Sequence, residues 1–233
     1  MIARDPKGVV LPFARARLNG VYSALVRDVQ DPDQQGRVKI ELPFVGDDDG
    51  PSAQAWARLS TALAGASRGT WFIPEPGDEV LVAFEAGDPR RPVVIGSLWN
   101  GEDSPPETMN ANNDVRSFTS RSGHKLTFDD TDGATKVKVE TQGGHELTLD
   151  DASGGKITVS HSNGANVVID AAGNVKITAN ANCEVQAAMV KVTASMVTVD
   201  AAMSKFSGVV QADTVITNSV VSSSYTPGAG NVW

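Results

Sequence analysis

The sequence predicts an all-β protein in two parts, a small N-terminal barrel followed by a long C-terminal shaft built from repeated strands. Three observations carry this. Residues 20–100 hold short runs of alternating apolar and polar residues, broken by proline, glycine and aspartate clusters. Residues beyond about 120 repeat one strand–turn–strand unit. Composition also changes sharply between the two parts: nine of thirteen aromatics and eleven of twelve prolines precede residue 121.

In the first part, residues 21–29 form one strand candidate. Val38, Ile40 and Leu42 then alternate with Lys39 and Glu41, the period of a half-buried strand. Residues 56–59 make a third candidate, the alternating Val80, Val82 and Phe84 a fourth, and residues 93–99 a fifth. Five short strands without a long amphipathic helix predict a small antiparallel barrel of the OB-fold type. The connections carry turn chemistry. Asp31-Pro32-Asp33-Gln34-Gln35-Gly36 offers a proline to set φ and a glycine for a positive φ. Pro74-Glu75-Pro76-Gly77-Asp78 and Gly87-Asp88-Pro89-Arg90-Arg91-Pro92 separate the later strands.

These segments also carry a resemblance. Asp31-Pro32-x-x-x-Gly36-Arg37-Val38-Lys39-Ile40 comes first, then Trp71-Phe72-Ile73-Pro74-x-Pro76-Gly77-Asp78-Glu79-Val80-Leu81-Val82-x-Phe84. The third piece is Gly87-Asp88-Pro89-x-x-Pro92-Val93-Val94-Ile95-Gly96-Ser97-Leu98-Trp99-Asn100. In series they resemble the OB-fold domain of the baseplate assembly protein V and VgrG spike family. There the domain sits at the root of a spike and plugs into a tail hub, so the resemblance implies docking on a tail hub protein and baseplate. The domains expected on this basis are an N-terminal arm (1–19), the OB-fold domain (20–101), a linker (102–120), a needle (121–221) and a C-terminal tip segment (222–233).

The second part is legible by self-comparison. Ser122-Gly123-His124-Lys125-Leu126-Thr127-Phe128-Asp129-Asp130 aligns with Gly143-Gly144-His145-Glu146-Leu147-Thr148-Leu149-Asp150-Asp151, twenty-one residues on. A weaker copy follows from Asn163 to Asp170. Second strands lie between them at Val137-Lys138-Val139, Ile157-Thr158-Val159 and Val175-Lys176-Ile177. Further on the turns shrink, giving Val190-Lys191-Val192-Thr193 and Met196-Val197-Thr198-Val199-Asp200. From Glu107 to Thr226 there is no proline, so every backbone N–H is free to join a ladder. A single thin meander would expose its aliphatics and two unpaired edges. Three identical chains closed around one axis remove both problems, and small residues such as Ala187-Ala188 and Ala201-Ala202 suit a narrow interior. The reading is a homotrimer with a trimeric intertwined β-helix. A single-chain solenoid yields similar periodicity and stays open.

Charge and motifs exclude several functions. The net charge is −8, with 12 basic and 17 acidic residues up to residue 120 and 8 and 11 after it. No basic stripe neutralises phosphates, so no nucleic-acid partner is expected. Anionic lipid adsorption is disfavoured likewise, leaving only transient contact with a target membrane. Trp56, Trp71, Phe72 and Trp99 are expected in the core or at subunit contacts rather than as base-stacking platforms. Cys183 is the single cysteine and is expected as a small buried residue in a protein without disulfides. No segment is apolar for long enough to cross a bilayer, and the N-terminus lacks a signal-peptide core.

No catalytic, cofactor or metal site is expected. His124 and His145 share a slot because the unit repeats, and His161 has no neighbour with ligand spacing. Related spikes that bind iron carry a His-x-His near the C-terminus, whereas this chain has no histidine after Ser207. Asp129-Asp130 and Asp150-Asp151 fall in turns, with adjacent side chains on opposite faces, and Asp47-Asp48-Asp49-Gly50 reads as a solvated loop. No nucleophile elbow or Walker motif occurs. The expected function is a non-enzymatic central spike of a contractile tail or injection system, assembled in the bacterial cytoplasm. The resemblance implies a PAAR-like tip partner, and the absence of hub-type segments before the barrel implies a separate hub. The alternatives are a polysaccharide-degrading trimeric tailspike, which needs clustered carboxylates, and an oligonucleotide-binding OB protein.

Overall fold

Five strands close the barrel: β1 (Val21–Asp28), β2 (Val38–Leu42), β3 (Ala53–Leu59), β6 (Glu79–Phe84) and β7 (Pro92–Leu98). The computed structural model describes residues 17–45 and 52–223. The expected Asp47–Asp49 loop, most of the N-terminal arm and most of the tip segment lie outside them. Strand order around the barrel is β1-β2-β3-β7-β6, antiparallel throughout except where β3 meets β7. Alternation places Val26, Val38, Ile40, Ala57, Val80 and Val82 fully inside. β-Branched side chains stand well on a pleated surface, so the strands and the core are specified by the same residues. Tyr22 closes one end, stacked on Phe44 at 5.0 Å and edge-on to Phe84 at 5.8 Å.

One barrel expectation needs correction. The third strand begins at Ala53, not residue 56, and fills the core with Ala53, Ala55 and Ala57; alanine is a weak strand signal. The core is aliphatic apart from Phe84, with the four expected aromatics outside it. Trp71 is 75% and Trp99 69% exposed, Phe72 is exposed, and Trp56 is half-buried beneath the Arg37 guanidinium. A short hairpin of β4 (Ala64–Gly65) and β5 (Arg68–Gly69) interrupts the chain before Trp71.

Beyond the barrel, seven strands form one antiparallel meander in chain order: β8 (Val115–Thr119), β9 (Lys125–Asp129), β10 (Lys136–Glu140), β11 (Glu146–Asp150), β12 (Lys156–Ser160), β13 (Asn166–Ile169) and β14 (Val175–Thr178). β8 lies inside the stretch expected as a linker. It is also tied to the barrel's 71–75 loop: Phe72 and Phe118 rings sit 4.9 Å apart, and Arg121 pairs with Glu75 at 3.1 Å. The turns along one end of the sheet repeat. The N–H of Gly123, Gly144 and Gly164 donates to the carbonyl of Ser120, Thr141 and His161. Each of these glycines has φ between 81° and 95°, which a side chain would strain.

Residues 182–233 separate as a second unit. Its described part, 182–223, contains no strand paired within the chain, although the same residues were expected in the needle. Cys183, expected as a small buried residue, is exposed in the single chain, with no strand among the described residues paired over it.

Candidate assembly surfaces

The meander is a single layer with two unlike faces. Register aligns Leu126, Val139, Leu147, Val159, Val167 and Ile177 in one row. A second row on the same face runs Phe128, Val137, Leu149, Ile157, Ile169 and Val175. Side chains of a strand alternate between faces, so both rows point the same way. Neither row has a cover among the described residues: Leu149 remains 42% and Ile157 39% exposed. A contiguous apolar patch of this extent marks an interaction surface.

The opposite face is mainly polar, and its charges on β9–β11 are paired. Lys136 Nζ meets Asp129 at 3.2 Å. Lys138 Nζ meets Glu140 at 2.6 Å and Glu146 at 3.0 Å. A hydrogen bond from Thr148, then the Lys138 contact, lowers the Glu146 carboxyl below its ordinary range, while Glu140 and Glu146 raise Lys138. Ion pairs of this kind suit a solvent-facing surface and add little stability individually. The sheet is therefore finished on one side and open on the other.

Residues 182–223 carry the same incompleteness further. Val185, Val192, Val199, Phe206 and Val215 are all exposed, and residues 182–223 form no strand ladder with any described residue. Backbone groups and aliphatics left in this way favour a partner.

The barrel surface is organised around Asp31. Its carboxylate retains only 4% side-chain exposure and accepts the N–H groups of Asp33, Gln35 and Arg37. The Arg37 guanidinium completes the loop at 2.6 Å and also reaches Asp33 at 2.7 Å. The Arg37 bond, aided by the three N–H groups, holds the Asp31 carboxyl far below the usual carboxylate range. Asp88 is lowered to about 2, first by the Arg90 hydrogen bond. Both are loop-shaping residues with every acceptor engaged in structure. Gly36, at φ +70°, lies beneath the Trp71 ring, which would stand 3.2 Å from an added Cβ. Trp71 and Phe72 border an open groove that also holds Arg58 and Arg68. Arg58 is neutralised there by Glu85.

The histidines are turn residues. The Gln142 N–H donates to His124 Nδ1 and the Ser162 N–H to His145 Nδ1, each at 3.3 Å. His161 does have a histidine neighbour, contrary to expectation: its ring centroid lies 4.3 Å from that of His145. Their separation of sixteen residues, which is not the repeat length, hides this, because adjacent hairpin turns stack. Among the described residues no three potential ligands converge on a metal. Asp129 accepts the Thr131 N–H and hydroxyl, Asp150 accepts the Ala152 N–H, and Asp130 pairs with Arg116. These carboxylates hold turns. Sequence reasoning missed the link of Phe72 and Glu75 to the first hairpin, since nothing in a spacing of 46 residues announces it.

Comparison with known proteins bears on both surfaces. Residues 22–99 match the family described as type VI secretion system/phage-baseplate injector OB domain. Residues 136–204 match the phage baseplate V C-terminal trimerisation domain. That second match runs from β10 through the meander and into the unpaired extended segment. The chain is 32% identical over 119 residues to the type VI secretion system spike protein VgrG1a of Pseudomonas aeruginosa, across 47% of this chain and 18% of that protein. VgrG1b of the same organism is 35% identical over 102 residues, 42% of this chain and 14% of the relative. The actin cross-linking toxin VgrG1 of Vibrio cholerae is 37% identical over 78 residues, 33% of this chain and 7% of the toxin. The chain thus matches less than a fifth of the length of each of these relatives.

Proposed function

We propose, from the two family matches and the VgrG relatives, that the chain is a VgrG-type spike protein of a phage baseplate or type VI secretion system, three copies of which form the central spike of a contractile tail or injection particle. The barrels dock on a tail hub. The C-terminal parts braid into a shaft that sheath contraction drives through a target envelope. A separate PAAR-like protein caps the far end, and assembly takes place in the bacterial cytoplasm.

One observation carries the reading most directly. The region matching a trimerisation domain presents two apolar rows, uncovered among the described residues, and then a segment that forms no ladder with any of them. Closing three such surfaces on one axis buries the rows and supplies ladder partners to the edges. A rod closed in this way has continuous hydrogen bonding and no hinge, which suits force transmission. The role needs no reaction: the carboxylates and histidines that could suggest chemistry are engaged in turns and ion pairs. Net charge and the pairing of Arg58 with Glu85 disfavour the oligonucleotide alternative despite the exposed aromatics beside it.

The test is localisation in particles from a producing strain. Gold-labelled antibody against this chain should decorate the baseplate end of contractile particles, and deleting its gene should abolish particles able to contract productively. Label along the sheath, or normal particles without the chain, would refute the assignment.

A further inference from the structure

Strands β9 and β11 are framed by the same two residue types. His124 precedes β9 and Asp130 follows it, while His145 precedes β11 and Asp151 follows it. The ladder runs on through these flanking residues. The Ser120 N–H donates to the His124 carbonyl and the Thr141 N–H to that of His145. At the other end the Asp130 N–H donates to the Asp114 carbonyl and the Asp151 N–H to that of Thr135. Alternation therefore carries past the strand ends and sets each histidine and aspartate on the apolar face. The surroundings agree: His145 and His161 border Val159, Val167 and Ile177, and Asp151 borders Leu149, Ile157 and Ile169. Exposed histidines thus line one end of the sheet and exposed aspartates the other.

Hydrogen bonds fix the tautomer of each histidine. The N–H groups of Gln142, Ser162 and Asn163 donate to Nδ1 of His124, His145 and His161, at 3.3, 3.3 and 3.1 Å. An Nδ1 that accepts in this way leaves the neutral ring's proton on Nε2. Each Nε2 is then a hydrogen-bond donor rather than a metal ligand, and none has an acceptor among the described residues. At the opposite end Asp151 has no side-chain partner among the described residues. Asp130 gives one oxygen to Arg116 and keeps the other. One end of the sheet offers unmet donors and the other unmet acceptors.

Resting on the trimeric reading above, we propose that the histidine end of each sheet docks on the aspartate end of the next copy. His145 Nε2–H donates to Asp151 and His124 Nε2–H to Asp130 across that boundary. A threefold axis along the stacking direction of the strands brings one end of each sheet against the other end of its neighbour, a heterologous contact made three times. Rotation without rise keeps β9 level with β9 and β11 level with β11. Residues that frame one strand within a chain therefore meet between chains. Within a chain the two partners are six residues apart, roughly 20 Å of extended backbone, and cannot touch. β12 brings no third pair, because Gly155 stands at its other end from His161. Burial of the apolar rows leaves the level at which edges meet free. Polar pairs across a boundary fix that register more than they add affinity.

The experiment uses the full chain with Cys183→Ser, which removes its only thiol. His145→Cys and Asp151→Cys are introduced together and treated with a short bifunctional maleimide. The expected product on a denaturing gel is one three-chain species, because each 145 lies beside the next copy's 151 and the ring closes. His145→Cys with Asp130→Cys, two strands off level, should leave single chains. A second set of variants reads the chemistry. His145→Glu sets carboxylate against carboxylate and should lower the melting temperature of the assembly. Adding Asp151→Lys should restore it, which a purely turn-shaping role for His145 would not allow. If native mass shows three copies but the 145/151 pair gives no product, the edge contact is wrong while the trimer stands. Linkage of 145 with 130, or no rescue by Asp151→Lys, would overturn it equally. A single-copy native mass would overturn the contact and the trimer together.

Discussion

Replacing Leu149 by aspartate probes the uncovered face where its meaning is sharpest. Leu149 lies between Val137 and Ile157 in one apolar row and keeps 42% of its surface exposed in the single chain. Fully burying a leucine contributes about 1.5–3 kcal/mol, so covering that remainder contributes about 0.6–1.3 kcal/mol per copy, or roughly 2–4 kcal/mol per trimer. The aspartate forfeits this and places three carboxylates near one axis. Burying an unpaired charge costs several kcal/mol even after relaxation, so the penalty per trimer is on the order of 10 kcal/mol. Leu149→Asp should therefore sediment as single chains at micromolar concentration. Its barrel should still melt cooperatively, since Leu149 is absent from the barrel core. The matched control is Lys176→Asp, on the polar face beside Val168, which should remain trimeric. A trimeric Leu149→Asp, or equal dissociation of both variants, would refute the two-faced sheet.

Ile40→Ala, at the largest fully buried side chain of the barrel, should lower barrel stability by about 2–5 kcal/mol in urea titrations. Asp31→Asn removes the Arg37 ion pair and weakens the N–H bonds that shape the first loop, so the barrel's melting temperature should fall while its oligomeric state holds. Acid should destabilise the wild type. Asp31, Asp88, Asp129 and Glu146 all have carboxyls lowered by folding. In acid the unfolded chain therefore takes up protons first. The stability these groups supply is complete above the ordinary carboxylate range and should drain away from about pH 4 toward pH 2, read as a falling melting temperature. Cys183, exposed in the single chain but inside the segment proposed to braid with two further copies, should resist thiol reagents in the native assembly and react fully once denatured.

The barrel is legible wherever β-branched residues alternate, as in Val38–Leu42 and Glu79–Phe84. It is poorly legible at Ala53–Leu59, because alanines that face a core carry no strand signature and Trp56, the loudest residue there, points outward. Trp71 and Trp99 lie outside the barrel core, which valine, isoleucine, alanine and Phe84 fill, so of the two places expected for them only a subunit contact remains. In the meander, self-similarity around His124 and His145 exposes the hairpin unit directly. Val115–Thr119 escapes it, having no copy to align with. The pairing of Phe72 with Phe118 depends on how the barrel's loop meets the first hairpin, which no local pattern encodes. Residues 182–223 show strand-like alternation without strands in the single chain, since a ladder between molecules leaves no trace in one copy.

Everything assigned to the C-terminal part depends on one property, that its apolar rows and unpaired backbone are completed by two more identical chains. Sedimentation equilibrium of the purified full-length wild type measures this without mutation or label. The account predicts a mass of three chains that does not change across the micromolar range. A stable, folded single chain would contradict it.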